Sequence, residues 1–203
     1  VVIGGMSSRG SLLDEAILDC ETWTWIENSV SFSAEHRPSG RHGHSVLADP
    51  VRNRLVLFGG ASGSDLLRSG VDNTEIWELR MSSNWKGEFL SSFPWKWRLV
   101  HHDQSDEVED PRTSDVSTHE MNRILEISDT EALCLGRCHV GVRISRDTAL
   151  LAFGSGKPTT NGLLAYDLGT DLFIRPDVKG PLPIGRFTAA ATVIDNNGWV
   201  IFN

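Results

Sequence analysis

Cys134, Cys138 and His139 stand at a C-x3-C-H spacing. Thiolate and imidazole are the ligands zinc takes, but a tetrahedral site needs a second pair at a usable distance, and the sequence supplies none. Cys20 brings the cysteines to three, an odd number that builds no disulfide framework. The chain also lacks an Asn-x-Ser/Thr sequon, and reduced thiols fit the cytoplasm or nucleus. No Ser-His-Asp or paired-carboxylate arrangement stands out. The expectation is therefore no catalytic residue, no metal and no cofactor. What remains is a set of cations: Arg41, Arg137 and Arg186, each preceded by glycine, and Arg9, Arg68 and Lys157 in polar stretches. An arginine so placed either satisfies nearby carbonyls with its five donors or holds a carboxylate on a partner. His44 and His139 follow two of these arginines on apolar runs and read as core histidines bonding between elements.

Bulk charge narrows the partners. The net charge is −8, and between His101 and Glu120 seven acids face one base, Arg112. That stretch (103–117 above all) reads as a solvated linker or as an occluding, partner-binding segment. A groove for nucleic acid needs clustered Lys and Arg, so nucleic acid is not expected. No apolar run approaches the roughly 18–20 residues of a membrane helix, so no membrane partner is expected either. The 203 residues suffice for one core or for a repeat array. Val1 already reads as strand interior, and the chain is expected to be a piece of a longer protein.

The elements that must position these side chains recur. Gly40-Arg41 returns as Gly136-Arg137 and Gly185-Arg186. An apolar run ending in phenylalanine follows each, at Phe58, Phe153 and Phe202, and fourteen residues before these lie His44, His139 and Thr188. Val1–Gly5 reads as a fourth copy of that run. Glycines follow it: Gly4 and Gly5, Gly59 and Gly60, Gly154 with Ser155 in the second place. Third strands are predicted at 15–20, 74–79 and 163–168, and fourth strands at 22–27, 95–100 and 171–176. Turn chemistry at 49–53, 145–147 and 195–198 joins strands one and two. Only 119–128 leaves a short helix open. Internal repetition of this kind sets the architecture before any single element does.

These motifs resemble kelch repeats. The resemblance rests on Arg-x-x-His before strand one, a diglycine after strand two, an aromatic–acid step in strand three (Trp77-Glu78, Tyr166-Asp167), and an aromatic in strand four (Trp25, Trp97, Phe173). It implies an all-β fold, a kelch-type β-propeller present as a fragment, with blade pieces at 1–27, 40–100, 136–178 and 185–203 and an acidic insert at 101–135. A propeller closes with about 4–8 blades, so further blades are expected on both sides. The expected structural residues are Gly4, Gly5, Gly59, Gly60, Gly154, His44 and His139, with Trp23, Trp25, Trp77, Trp95 and Trp97 packing between blades. In up-and-down blades the 2–3 loops (5–14, 60–72, 155–162) share one face with the 4–1 connections. That face is the expected partner surface, gripping through Arg41, Arg137, Arg186, Arg68, Arg9 and Lys157.

The wording of the repeats, from "GRHGHSVLADPVRNRLVLFGG" through "LGRCHVGVRISRDTALLAFGSG" to "GPLPIGRFTAAATVIDNNGWVIFN", is most similar to plant F-box/kelch-repeat proteins. That resemblance implies an F-box outside these residues, docked on a Skp1-like subunit of an SCF-type ubiquitin ligase, while the loop face holds the protein to be ubiquitinated. The alternative is a kelch-propeller enzyme or metal-dependent specifier whose active site lies in absent blades. Copper-radical oxidases of this architecture need tyrosines, and Tyr166 is the only one. The Glu-x3-Asp-x3-His iron motif of nitrile-specifier proteins has its nearest match at Asp115-x3-His119, with Pro111 in place of the glutamate.

Overall fold

The structure, a computed structural model, describes residues 1–26, 37–63, 71–80, 96–101, 136–155, 162–174, 176–194 and 200–202. Among them the ordered elements are all strands. The predicted helix at 119–128, most of the acidic insert and the loop around 81–94 lie outside the described residues.

The strands form consecutive antiparallel sheets along the chain. Val2–Ile3 (β1), Glu15–Asp19 (β4) and Thr24–Ile26 (β5) make the first, in the order β1-β4-β5. Met6–Ser7 (β2) and Gly10–Ser11 (β3) form a small hairpin between β1 and β4. The second is a four-stranded meander of Ser45–Asp49 (β6), Arg54–Phe58 (β7), Ile76–Arg80 (β10) and Lys96–His101 (β11), with the hairpin Ala61–Ser62 (β8) and Val71–Asp72 (β9) inside its β7–β10 connection. The third repeats that order with Val140–Arg143 (β12), Thr148–Ala152 (β13), Leu163–Asp167 (β14) and Leu172–Ile174 (β15). Ala191–Val193 (β16) and Val200–Phe202 (β17) pair as the fourth. Among the described residues no sheet closes on itself.

The core lies between sheets. β7 reads Arg-Leu-Val-Leu-Phe and is buried along its whole length. Successive side chains of a strand point to opposite faces. Leu55 and Leu57 therefore join Ile17, Trp77, Leu79 and Trp97 against the first sheet. Val56 and Phe58 join Ala149, Leu151, Leu164 and Tyr166 against the third. A continuous apolar run is what a strand covered on both faces requires. At the next seam Phe153 meets Phe202 edge to face at 5.2 Å between centroids. The first strands of successive sheets also touch, β6 with β12 and β12 with β16.

The register corrects the spacing read from the sequence. Ser45 pairs with Phe58, but Val140 pairs with Ala152, so the third sheet's first hairpin is one residue shorter. Phe58 is therefore level with Ala152. Phe153 falls one place later, in the position of Gly59, and the two share a left-handed backbone, φ 63° and 56°. Gly154 matches Gly60, and Ser155 matches Ala61, since Arg137–Ser155 and His42–Ala61 form the same bridge. The missing glycine of the third pair is thus the first, not the second. Phe202 pairs with Ala191 and packs back on Phe153, a third distinct position. The aromatic–acid step shifts likewise. Leu57 faces Trp77 while Leu151 faces Leu164, which puts Trp77 level with Leu164 rather than Tyr166. The strand-four aromatics do match: Trp25 faces Leu18, Trp97 faces Leu79 and Phe173 faces Tyr166.

Candidate functional site

The meanders give the described sheets two rims. One carries the glycines that follow β1, β7 and β13; the other carries the β6–β7 and β12–β13 turns and the β14–β15 turn.

On the glycine rim, backbone groups stitch each sheet to the next. The Gly5 amide donates to the Arg41 carbonyl at 2.8 Å, Gly60 to Gly136 at 2.6 Å and Gly154 to Arg186 at 3.0 Å. A second series runs from Cys138 N–H to the Gly43 carbonyl at 2.6 Å and from Thr188 N–H to the Cys138 carbonyl at 3.0 Å. Gly43, Cys138 and Thr188 all have positive φ, 65°, 59° and 54°. The repeated left-handed residue turns the chain so that its amide and carbonyl face neighbours on both sides. Gly60 is glycine for a further reason: a Cβ there would lie 2.8 Å from His44 Cβ and 3.0 Å from the His42 carbonyl.

The cations expected to grip a partner divide. Arg41 is buried, 1% exposed. Its Nε donates to the Ser39 carbonyl at 3.1 Å, Nη1 to the Gly59 carbonyl at 3.0 Å, and Nη2 to Glu75 Oε2 at 2.7 Å. Arg41 therefore belongs to the framework and is corrected out of the expected grip: its donors are spent inside the fold. Arg137 is half-buried in its bridge to Ser155, and Arg9 is exposed in the β2–β3 turn. Arg186 donates from Nε to the Ile184 carbonyl at 3.3 Å and sets its guanidinium over the Phe153 ring, 5.3 Å from the centroid. Arg68 and Lys157 lie outside the described residues.

The histidines are structural in placement. His44 Nε2–H donates to the Ile3 carbonyl of the first sheet at 2.9 Å, which fixes the tautomer and bonds across the seam. Burial lowers its pKa, and Arg41 and His42 add to the effect. His139 is buried and its pKa falls to about 4, from burial first and the neighbouring His44 second. Both are neutral near pH 7. His42 faces Ser11 Oγ at 2.9 Å, and the Ser11 hydroxyl donates to the Gly63 carbonyl at 2.8 Å, so His42 Nδ1 carries the proton.

Sequence reasoning missed the opposite rim. Arg54, 2% exposed, places every guanidinium donor. Nε donates to Asp49 Oδ2 at 3.1 Å. Nη1 donates to Glu78 Oε2 at 2.7 Å and Asp171 Oδ2 at 3.2 Å. Nη2 donates to Asp171 Oδ1 at 2.7 Å and the Leu168 carbonyl at 2.6 Å. Glu78, fully buried, also accepts from Arg80 Nε at 2.6 Å and Arg98 Nε at 2.5 Å. Burial alone would raise the Glu78 carboxyl, but Arg98, Arg54 and Arg80 outweigh it and hold it down to about 2. Arg52 extends the network to the third sheet through Asp147 at 2.7 Å. The local signal was charge placed within strands that otherwise read as apolar runs, Arg54 opening β7 and Glu78 following Ile76-Trp77 in β10.

Among the described residues the Ser11 hydroxyl meets His42 Nδ1, but it donates to the Gly63 carbonyl and accepts from the ring, so His42 does not stand as its base in this geometry. No group of three His, Cys, Asp or Glu able to hold a metal occurs among the described residues, although Cys134 is outside them. No described helix is long and apolar enough to cross a membrane. Neither a protein-family model nor a curated protein matches the chain.

Proposed function

We propose that the chain is an arc of a kelch-type β-propeller serving as a protein-interaction scaffold, the substrate-recognition part of an F-box adaptor in an SCF-type ubiquitin ligase. The observation that carries the scaffold reading is the repeated stitch along the glycine rim, from Gly5 to Arg41, Gly60 to Gly136 and Gly154 to Arg186. Equivalent backbone bonds at successive seams set each sheet against the next in the same way, as blades about an axis require. A fixed rim then presents variable loops, where such scaffolds keep their contacts. The ligase reading rests on the kelch and F-box/kelch resemblance of the repeats. With Arg41 buried, the partner surface centres on Arg137, Arg186 and Arg9, together with the loops that hold Arg68 and Lys157.

The native protein, isolated with an antibody to this chain, is expected to bring down a Skp1-like subunit and a cullin. Isolation without either overturns the ligase assignment. Stoichiometric metal or turnover in the same preparation would favour an enzyme of kelch architecture.

A further inference from the structure

The second sheet carries cations at one outer corner where its neighbours carry none. Arg80 lies directly opposite Arg54 on one side and Lys96 on the other, and Glu78 lies opposite Arg98 in the next pair on that face. Residues directly opposite, or two apart on a strand, share a face of the sheet. At the levels of Arg80, Lys96 and Arg98 the first sheet has Asp19, Thr24 and Ile26, and the third has Asp167, Leu172 and Ile174. Those two aspartates cap their turns, Asp19 accepting from the Glu21 amide and Asp167 from the Gly169 amide. The repeat therefore does not ask for the cations. Folding does not favour them either, since like charges directly opposite on a sheet destabilise it.

The acids here face inward and the cations outward. Glu78 is fully buried, whereas the Arg80 and Arg98 side chains are 61% and 54% exposed and Lys96 is exposed. Arg80 and Arg98 each spend Nε on Glu78. Among the described residues the Nη groups of Arg80 meet no acceptor, those of Arg98 reach Asp171 at 3.7 Å, and Lys96 pairs with no carboxylate. The turn residues Arg52 and Arg146 answer Asp49 and Asp147. That leaves Arg54, Arg80, Arg98 and Lys96 against Glu78 and Asp171, four cations against two carboxylates.

We infer that Arg80, Lys96 and Arg98 form a binding site for a phosphomonoester at the outer edge of the seam between the second and third sheets. A phosphomonoester carries about −1.5 to −2 charge at neutral pH and three strong acceptor oxygens, which matches the excess; a carboxylate matches half of it. Guanidinium forks suit phosphate oxygens, and the lysine adds a point charge. The site lies on the rim opposite the proposed partner surface and does not depend on the adaptor reading.

Isothermal titration calorimetry of the full-length protein at neutral pH in phosphate-free buffer tests it. Inorganic phosphate is expected to bind, and acetate at equal ionic strength is not. Lys96→Gln removes a side chain without a partner, so the melting temperature is expected to hold while phosphate affinity falls roughly tenfold, as loss of one charge-assisted contact implies. Arg80→Gln is expected to do the same, and Lys96→Gln carries the test alone if circular dichroism finds Arg80→Gln unfolded. A phosphoserine peptide that binds more tightly than inorganic phosphate assigns the site to a phosphorylated protein segment; equal affinities assign it to the free anion. Absence of phosphate binding, affinity unchanged in the folded variants, or acetate binding as well as phosphate overturns the inference.

Discussion

Arg54 of β7 holds both carboxylate oxygens of Asp171, at 2.7 and 3.2 Å, across 117 positions of sequence and one seam between sheets. The same guanidinium reaches Asp49 and Glu78 in its own sheet, so one side chain locks two sheets. Arg54→Met would leave buried carboxylates without their counter-charge. Breaking a buried ion pair from one side costs about 3–5 kcal/mol. Urea unfolding is expected to register a loss of that order. Arg54→Lys is expected to recover only a part, because a point charge cannot supply a planar fork of five donors.

Glu78 gives the network a pH signature. Its folded pKa of about 2 lies below the ordinary 4.5, so its contribution is complete above pH 4.5 and disappears as pH falls toward 2. Melting temperature is expected to drop through that window. Glu78→Gln is expected to be less stable at neutral pH and to show a shallower drop, since the titrating group is gone. Parallel curves for the two proteins would contradict the assignment.

His139 acts in a different window. With a folded pKa of about 4 against 6.5, the unfolded chain binds the extra proton between those values, and stability rises with pH across them. His139→Leu keeps the buried site apolar. It is expected to flatten the stability profile between pH 4 and 6.5 in thermal melts, while the fall below pH 4.5 assigned to Glu78 persists.

Two glycines on one rim separate backbone strain from space. Gly5, at φ 111°, has open space where a Cβ would go, whereas a Cβ at Gly60 meets His44 and the His42 carbonyl. Gly5→Ala is expected to cost about 1–3 kcal/mol, the range for a residue held in a sparsely populated conformation. Gly60→Ala is expected to cost more, by denaturant unfolding of both variants side by side.

Arg41 and Arg186 follow the same motif and differ in burial. Arg41→Ala is expected to lower the melting temperature, because the Gly59 carbonyl and Glu75 lose their donor. Arg186→Ala, removing a side chain at the rim, is expected to leave it nearly unchanged and to weaken capture of a protein partner. Equal melting losses would place both in the framework.

Strand identity and order were legible because they depend on local pattern. Alternation and turn residues placed β4, β7, β10 and β14 within a residue or two, and the aromatics Trp25, Trp97 and Phe173 marked one level of strand four. The run Leu55–Phe58 read as a buried strand, and the structure covers it on both faces. Level between repeats was not legible: counting to Phe58, Phe153 and Phe202 assumed hairpins of equal length, and one residue less between β12 and β13 moved Phe153 into a glycine's place. Backbone pairing alone decides such a shift, since residue type on an apolar strand does not record which carbonyl its amide meets. Tertiary structure also decided which charges are buried. In sequence Arg54 and Glu78 show only as charges within strands; the fold buries them with Arg41, whose partners and those of Glu78 come from their own sheet and its flanks, while Arg54 also takes Asp171 and the Leu168 carbonyl from the third sheet.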